Sequence, residues 1–448
     1  MKLELLLTMS LFAGIACARP VVSNIDFTQT GSSRKVTVTY DLSGGPAIVT
    51  MDVLTNGVSI GRDNFAGALE GDVNRVVDGS SGCIVWRAKQ SWPNQENVGI
   101  TVQLTAWATN APPDYVVVDL VDGSRSYHQS LDELSPAFGD DVYKIRKMVL
   151  RKIPAAGVEW TMGIQSNMFN YSTINQAHRV VLTQDYYIGV YPVTQGQWEK
   201  VMDGHCTAYN SYATTPRPSW FTNEQYYATR PVENIPLRAI YGDNTDMQAY
   251  PQHERILRPG RFLYEIRERT GLAFDLPTSA QWEFAARAGT TTSLYTGRDI
   301  CREVNAVDAV GARLGMAFPE HKSDDPAKNL RHITPAEGGT TTVGGGTPNA
   351  WNLYDLYGNV DEYVADWYSP YWYMDCLKAG LSVDPKGYTD DWWTLYSENP
   401  KRHEARAVVR GGGFSRTNTG GSSVQLDGGG DMYTGAQSTY GFRVIIHL

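Results

Sequence analysis

Clustered soft ligands are missing from this chain. Five cysteines and eight histidines are spread over 448 residues, with no Cys-x-x-Cys, His-x-His or His-Glu-x-x-His among them. Structural zinc and thioredoxin-type redox chemistry both need such spacing, so neither has support. Basic runs are missing too. Lys and Arg total 39 against 48 Asp and Glu, a net charge of −9, whereas a phosphate backbone is bound by a basic footprint. Nucleic acid is therefore excluded as a partner. Beyond Ile15 no apolar run reaches the length of a membrane-spanning helix.

What is present describes a folded, exported protein. Apolar residues make up 42% and charged residues 19%, a globular balance, and the length allows two cores. Glycine (43), tyrosine (26) and tryptophan (12) are abundant, which points to loop-rich structure. Met1-Lys2, the apolar stretch Leu5 to Ile15 and Ala16-Cys17-Ala18 read as a secretory signal over residues 1–18, cut after Ala18. Lipid attachment at Cys17 is the lesser reading, because the usual leucine three residues earlier is replaced by Gly14. The expected location is secreted, periplasmic or cell-surface. Export permits disulfides among Cys83, Cys206, Cys301 and Cys376, with the pairing open.

Residues 19–111 read as strands and turns. Arg34–Leu42 and Ala47–Leu54 alternate apolar and polar side chains with period two, and Asn56-Gly57 supplies a hairpin turn. Ile84-Val85-Trp86 and Val98–Trp107 continue the series. Short strands without helix signals point to a β-sandwich, similar to the immunoglobulin- or fibronectin-type modules of exported bacterial proteins. A spacer or docking role is expected for it. Asn110-Ala111-Pro112-Pro113 breaks the pattern, and 112–147 reads as a connector with one strand at Tyr115–Val118.

From 148 to 448 the chain changes character. Thr194 with Gln197 and Thr278 with Gln281 are capping boxes, each opening a short helix that ends near Gly204 and Gly289. Arg261–Thr270 carries Phe262, Leu263 and Ile266 at helical spacing and stops at Gly271. Short helices set in long glycine-rich loops indicate an α+β layout low in regular structure.

Five ordered blocks add to that reading. They are Ile153-Pro154-Ala155-Ala156 with Trp160–Gly163; Tyr187–Gln195; Leu276–Arg287; Asn352–Tyr363; and Arg410-Gly411-Gly412-Gly413-Phe414 closing to Gly441-Phe442-Arg443. Together they resemble the formylglycine-generating, or sulfatase-modifying factor, family over about two thirds of the chain. The resemblance implies a C-type-lectin-like fold. In catalytic members two cysteines just after the first bracket hold the copper that activates oxygen. Arg416 and Gly421 stand at those places here, so no copper is expected and oxidation is not the expected activity. The resemblance further implies a structural calcium site with side-chain oxygens from Asp355 and Glu362 and carbonyl oxygens from Gly358 and Val360, a hard-oxygen set that suits that ion. Asp361 and Tyr363 depart from the family's usual tryptophans. A second family calcium site, looked for around Asn305 to Asp325, does not match.

Ser415–Thr439 is built of Gly, Ser, Thr, Asn, Asp, Gln and Tyr, the composition of an exposed, adaptable recognition surface. Arg416, Asn418, Asp427, Asp431, Tyr433 and Tyr440 are the candidate ligand contacts there, joined by Trp392 and Trp393 from an aromatic stretch upstream. Trp367 in that stretch reads instead as an anchoring residue. The expected function is recognition of a protein, peptide or glycan without catalysis. The alternative is a metal-dependent oxidase converting cysteine to formylglycine.

Overall fold

The computed structural model describes residues 19–65, 67–95, 99–164, 175–205, 217–223, 225–241, 257–292, 295, 339–367, 372–387, 406–413, 428–431 and 440–447. The chain divides into two compact units, one ending at Pro112 and one beginning at Pro113. Among the described residues no helix is long and apolar enough to cross a membrane.

In the first unit, strands β1 (Val21–Thr30), β2 (Lys35–Ser43), β7 (Ser81–Arg87) and β5 (Leu69–Gly71) form one sheet in the order β1-β2-β7-β5. A second sheet gathers β3 (Ala47–Thr55), β4 (Val58–Ser59), β6 (Val76–Val77) and β8 (Ile100–Ala108). The period-two alternation does what it should. Val36, Val38, Tyr40 and Leu42 of β2 are buried with Val49, Met51 and Val53 of β3, Ile84 and Trp86 of β7, and Val102 of β8. Asn56 and Gly57 take φ of 50° and 79°, the left-handed pair a tight hairpin between β3 and β4 requires.

The stretch 112–147 is not a connector. Its strands β9 (Tyr115–Asp119) and β10 (Arg125–His128) open a six-stranded sheet that continues through β11 (Lys147–Ile153), β14 (Tyr186–Gly189), β21 (Ile445–His447) and β15 (Phe274–Asp275). All five β9 residues are buried. Tyr115-Val116-Val117-Val118 is a continuous apolar run, which suits a strand covered on both faces better than a solvated link.

Two smaller sheets complete the second unit. One has the order β12-β13-β17 (Glu159–Met162, His178–Val181, Leu381–Val383). The other has the order β19-β18-β16-β20 (Gly428–Asp431, Arg406–Arg410, Asp361–Trp367, Tyr440–Phe442). Helices Gln195–Met202 and Ser279–Arg287 begin with the expected reciprocal capping boxes. Helix Phe262–Thr270 ends at Gly271 with φ of 66°, the left-handed cap that glycine supplies without steric cost. A helix at Trp372–Ala379 lies in the aromatic stretch and buries Tyr373 and Cys376. Cys83 and Cys376 carry free thiols in different units; Cys206 and Cys301 lie outside the described residues.

Candidate functional site

Strand β16 is the platform of the site. It pairs antiparallel with β18 on one side and parallel with β20 on the other. The two bracket motifs therefore flank one strand, Arg410 at the end of β18 and Tyr440 at the start of β20. The segment leading into β16 winds through four positive-φ residues, Asn352 (60°), Asp355 (56°), Gly358 (80°) and Asn359 (62°). Asn359 fixes it by donating Nδ2 to Thr341 O (3.1 Å) and accepting Thr341 N–H (3.0 Å). Gly358 N–H donates to Gly411 O at 3.1 Å, which ties this loop to the first bracket.

Two of the expected metal ligands are buried acids. Asp355 Oδ2 accepts the Gly344 N–H at 2.6 Å. Burial pushes the Asp355 carboxyl up to about 6; the Gly344 N–H and Arg443 pull it down, and the negative charge of Glu362 pushes it further up. Glu362 is clamped. Arg443 gives Nε to Oε2 at 3.1 Å and NH2 to Oε1 at 2.8 Å, and the Trp282 indole N–H donates to Oε2 at 2.6 Å. The remaining Arg443 donors reach Gly189 O, Val190 O and Tyr354 O at 2.8, 2.8 and 2.7 Å, so all five N–H groups are used. Glu362 thus holds the guanidinium through hydrogen bonds, while Asp355 feels the Arg443 charge only at a distance. Among the described residues no group of three His, Cys, Asp or Glu side chains is poised around a metal position.

A second buried network lies beneath the first bracket. Glu283 accepts from Arg287 NH2 (2.7 Å), Arg410 NH2 (2.7 Å) and the Gly163 N–H (2.9 Å). Burial alone would raise this carboxyl, but Arg287 and Arg410 outweigh it and hold Glu283 below its ordinary value. Arg410 also donates Nε to Ser279 Oγ at 2.9 Å. Gly411 must be glycine: its φ is 89°, and a Cβ there would stand 2.9 Å from Leu356 O.

The expected ligand contacts fare differently. Arg416, Asn418, Asp427, Tyr433, Trp392 and Trp393 lie outside the described residues, as does Gly421 and the side chain of Trp367. Asp431 ends β19 opposite Arg406. Tyr440 is buried rather than exposed, because β20 pairs with β16 and sets its ring edge-on to Tyr363 at 5.4 Å. Sequence reasoning missed the Arg443–Glu362 clamp and the Glu283 hub. Their signal was available: an arginine opening the first glycine-rich bracket and another closing the last, and Trp282-Glu283 inside an apolar helix.

The profile described as Sulfatase-modifying factor enzyme 1-like domain matches residues 146–448. The chain is 27% identical over 209 residues to the Chaperone protein LppX of Paenibacillus barcinonensis, covering 46% of this chain and 71% of that one. It is 30% identical over 147 residues to the Formylglycine-generating enzyme of Thermomonospora curvata, covering 31% of this chain and 38% of the other. The match thus spans less than two fifths of that enzyme's length. Among solved structures, Treponema denticola variable protein 1 is similar at 19% identity and a TM-score of 0.40, covering 67% of this chain and 96% of that one.

Proposed function

This chain belongs to the sulfatase-modifying factor enzyme 1-like family through residues 146–448, and from that membership we propose that it works by recognition rather than by oxidation. The bracket motif carries the reading: counted from Arg410, Arg416 and Gly421 would stand at the places of the copper-binding thiolates. Neither side chain is a soft ligand for Cu(I), and without a dithiolate there is no centre to bind oxygen. The name of the Paenibacillus relative, a chaperone protein, supports a binding role.

The recognition surface is the segment between the brackets. It leaves β18 and returns to β20, two strands hydrogen-bonded to opposite edges of β16, so its ends are held on a rigid base as a binding loop needs. Arg416, Asn418, Asp427, Asp431 and Tyr433, with Trp392 and Trp393, are the proposed contacts for a protein, peptide or glycan. In this reading the second unit has the C-type-lectin-like fold. The first is an immunoglobulin- or fibronectin-like stalk, and the protein is exported to the periplasm, cell surface or medium.

Calcium is the proposed structural ion. The buried Asp355 carboxyl is raised to about 6, with the Glu362 charge among the causes, and a nearby cation would return it to its ionised form. Glu362 has three of about four lone-pair sites occupied, so one remains for a metal. Gly358 and Val360 would add carbonyl oxygens.

The test pairs two measurements on the purified chain. Incubation with a sulfatase-motif cysteine peptide, oxygen and Cu(I) is expected to leave the peptide mass unchanged; loss of mass matching conversion to an aldehyde would establish the oxidase reading instead. Glycan and peptide arrays, with and without chelator, are expected to return a ligand whose binding is lost on Trp392→Ala plus Trp393→Ala or on Arg416→Ala.

A further inference from the structure

Ser126, His128 and Glu133 stand within one short stretch of the second unit. Strand β10 runs antiparallel to β9, with Ser126 opposite Val117 and His128 opposite Tyr115. Two residues apart on one strand, Ser126 and His128 share a face. Glu133 is brought back to that strand by a single helical turn, Leu131–Glu133, which Ser130 caps by accepting the Asp132 N–H. The Gln129 N–H then donates to both Glu133 carboxylate oxygens, at 3.2 Å each.

The three side chains lie in series. Ser126 Oγ is 2.7 Å from His128 Nε2, and His128 Nδ1 faces Glu133 Oε2 at 3.5 Å. A carboxylate has no proton to give, so the imidazole N–H belongs on Nδ1 and Nε2 keeps its lone pair. Ser126 is then the donor, its proton aimed at a nitrogen able to take it. His128 and Glu133 are enclosed, with side chains 10% and 8% exposed, whereas Ser126 is only half-buried. Nδ1 makes no hydrogen bond in this state; such contacts are commonly long in a free enzyme and tighten as the reaction proceeds.

The backbone supplies a further group. Leu120 N–H donates to Arg146 O and Lys152 N–H to Asp114 O, while Asp119 N–H donates to Ser124 O. Even-numbered residues of β9 thus bond β11 and odd-numbered ones β10. That places Ser126 and His128 in bonded pairs with β9 and turns the Tyr127 N–H to the other side. Strand β10 ends its sheet, so this N–H faces an edge that no further strand covers among the described residues. The residue after a nucleophilic serine is a usual source of the donor that steadies an oxyanion.

We propose that Ser126, His128 and Glu133 form a nucleophilic triad that hydrolyses small acyl esters at the β10 edge. Ser126 Oγ attacks the ester carbonyl carbon while its proton passes to His128 Nε2. The carbon–oxygen bond to the alcohol breaks, the alcohol leaves with that proton, and the acyl group stays on Ser126. Water then attacks the acyl carbon and gives a proton to Nε2. Ser126 Oγ departs, takes that proton back, and the carboxylic acid is released. Glu133 is a positioning residue that holds the tautomer and balances the imidazolium. This activity is independent of the segment between the brackets.

The full chain is treated with a biotinylated fluorophosphonate, and the modified peptide is read by mass spectrometry. An adduct on Ser126 is expected, lost after heat denaturation and in Ser126→Ala; a folded chain left unmodified at Ser126 overturns the proposal. Turnover of p-nitrophenyl acetate separates a nucleophile from a bystander. His128→Gln is expected to lower kcat by about a hundredfold or more, and Glu133→Gln to lower kcat with KM unchanged. Turnover that survives Ser126→Ala shows the imidazole acting alone and overturns the triad, as does an unchanged kcat in His128→Gln. Should a variant fail to fold, the fluorophosphonate result on the unaltered protein decides.

Discussion

Arg443 and Glu362 meet face to face in the interior, with guanidinium Nε and NH2 at 3.1 and 2.8 Å from the two carboxylate oxygens. The pair joins the last bracket of the sequence to the strand at the centre of the site. Removing one partner strands the other charge in the core. Arg443→Met and Glu362→Gln are each expected to cost about 3–5 kcal/mol, read as a shift in urea midpoint. The double variant Arg443→Met/Glu362→Gln should lose less than the sum of the two. Additive losses would mean that the pair does not act as a unit.

Asp355 sets a pH dependence. Its folded value of about 6 lies above the ordinary 3.8, so the folded protein holds the proton more tightly than the unfolded chain. Stability from this group is full below 3.8 and falls as pH rises through about 6, by roughly 3 kcal/mol in all. Asp355→Asn should flatten that slope. If calcium binds here, it should raise the melting temperature of the unaltered protein most at pH 7 and above, and leave Asp355→Asn unmoved. A melting temperature indifferent to both calcium and chelator would remove the metal.

Glycines offer a graded test of the bracket. Gly57 and Gly411 both have positive φ, but a Cβ on Gly57 meets open space while one on Gly411 meets Leu356 O at 2.9 Å. Gly57→Ala should cost about 1 kcal/mol, the left-handed conformation alone. Gly411→Ala should cost roughly 2–3 kcal/mol, since steric strain adds to conformation. Equal losses in thermal or urea unfolding would show that the Gly358–Gly411 join yields freely.

The capping boxes make the simplest check of local reading. Thr278→Ala removes the hydroxyl that accepts the Gln281 N–H at 3.1 Å and should lower stability by about 1 kcal/mol. Thr278→Ser should restore most of it, and failure of that rescue would point to lost methyl packing instead.

Local chemistry was legible in the sequence wherever one residue type has one job. Thr194 and Thr278 announced helix starts, Gly271 a stop, and Asn56-Gly57 a hairpin, because each solves a backbone problem that nothing distant can alter. The run Tyr115–Val118 misled because a four-residue apolar stretch does not say what covers it; that is settled by β10 and β11 on either side. Motif position led to Asp355 and Glu362, but the clamp by Arg443 and Trp282 joins residues about eighty positions apart, which no spacing rule encodes. Tyr440 likewise carries a recognition-type side chain, and only the parallel pairing of β20 with β16 turns it inward.

Strand β21 enters the six-stranded sheet between β14 and β15, so residues 445–447 alone join the edge strand β15 to the other four. Without that strand, β14 and β15 would each present an open edge. Removing residues 445–447 should therefore leave a chain prone to joining its own copies edge to edge.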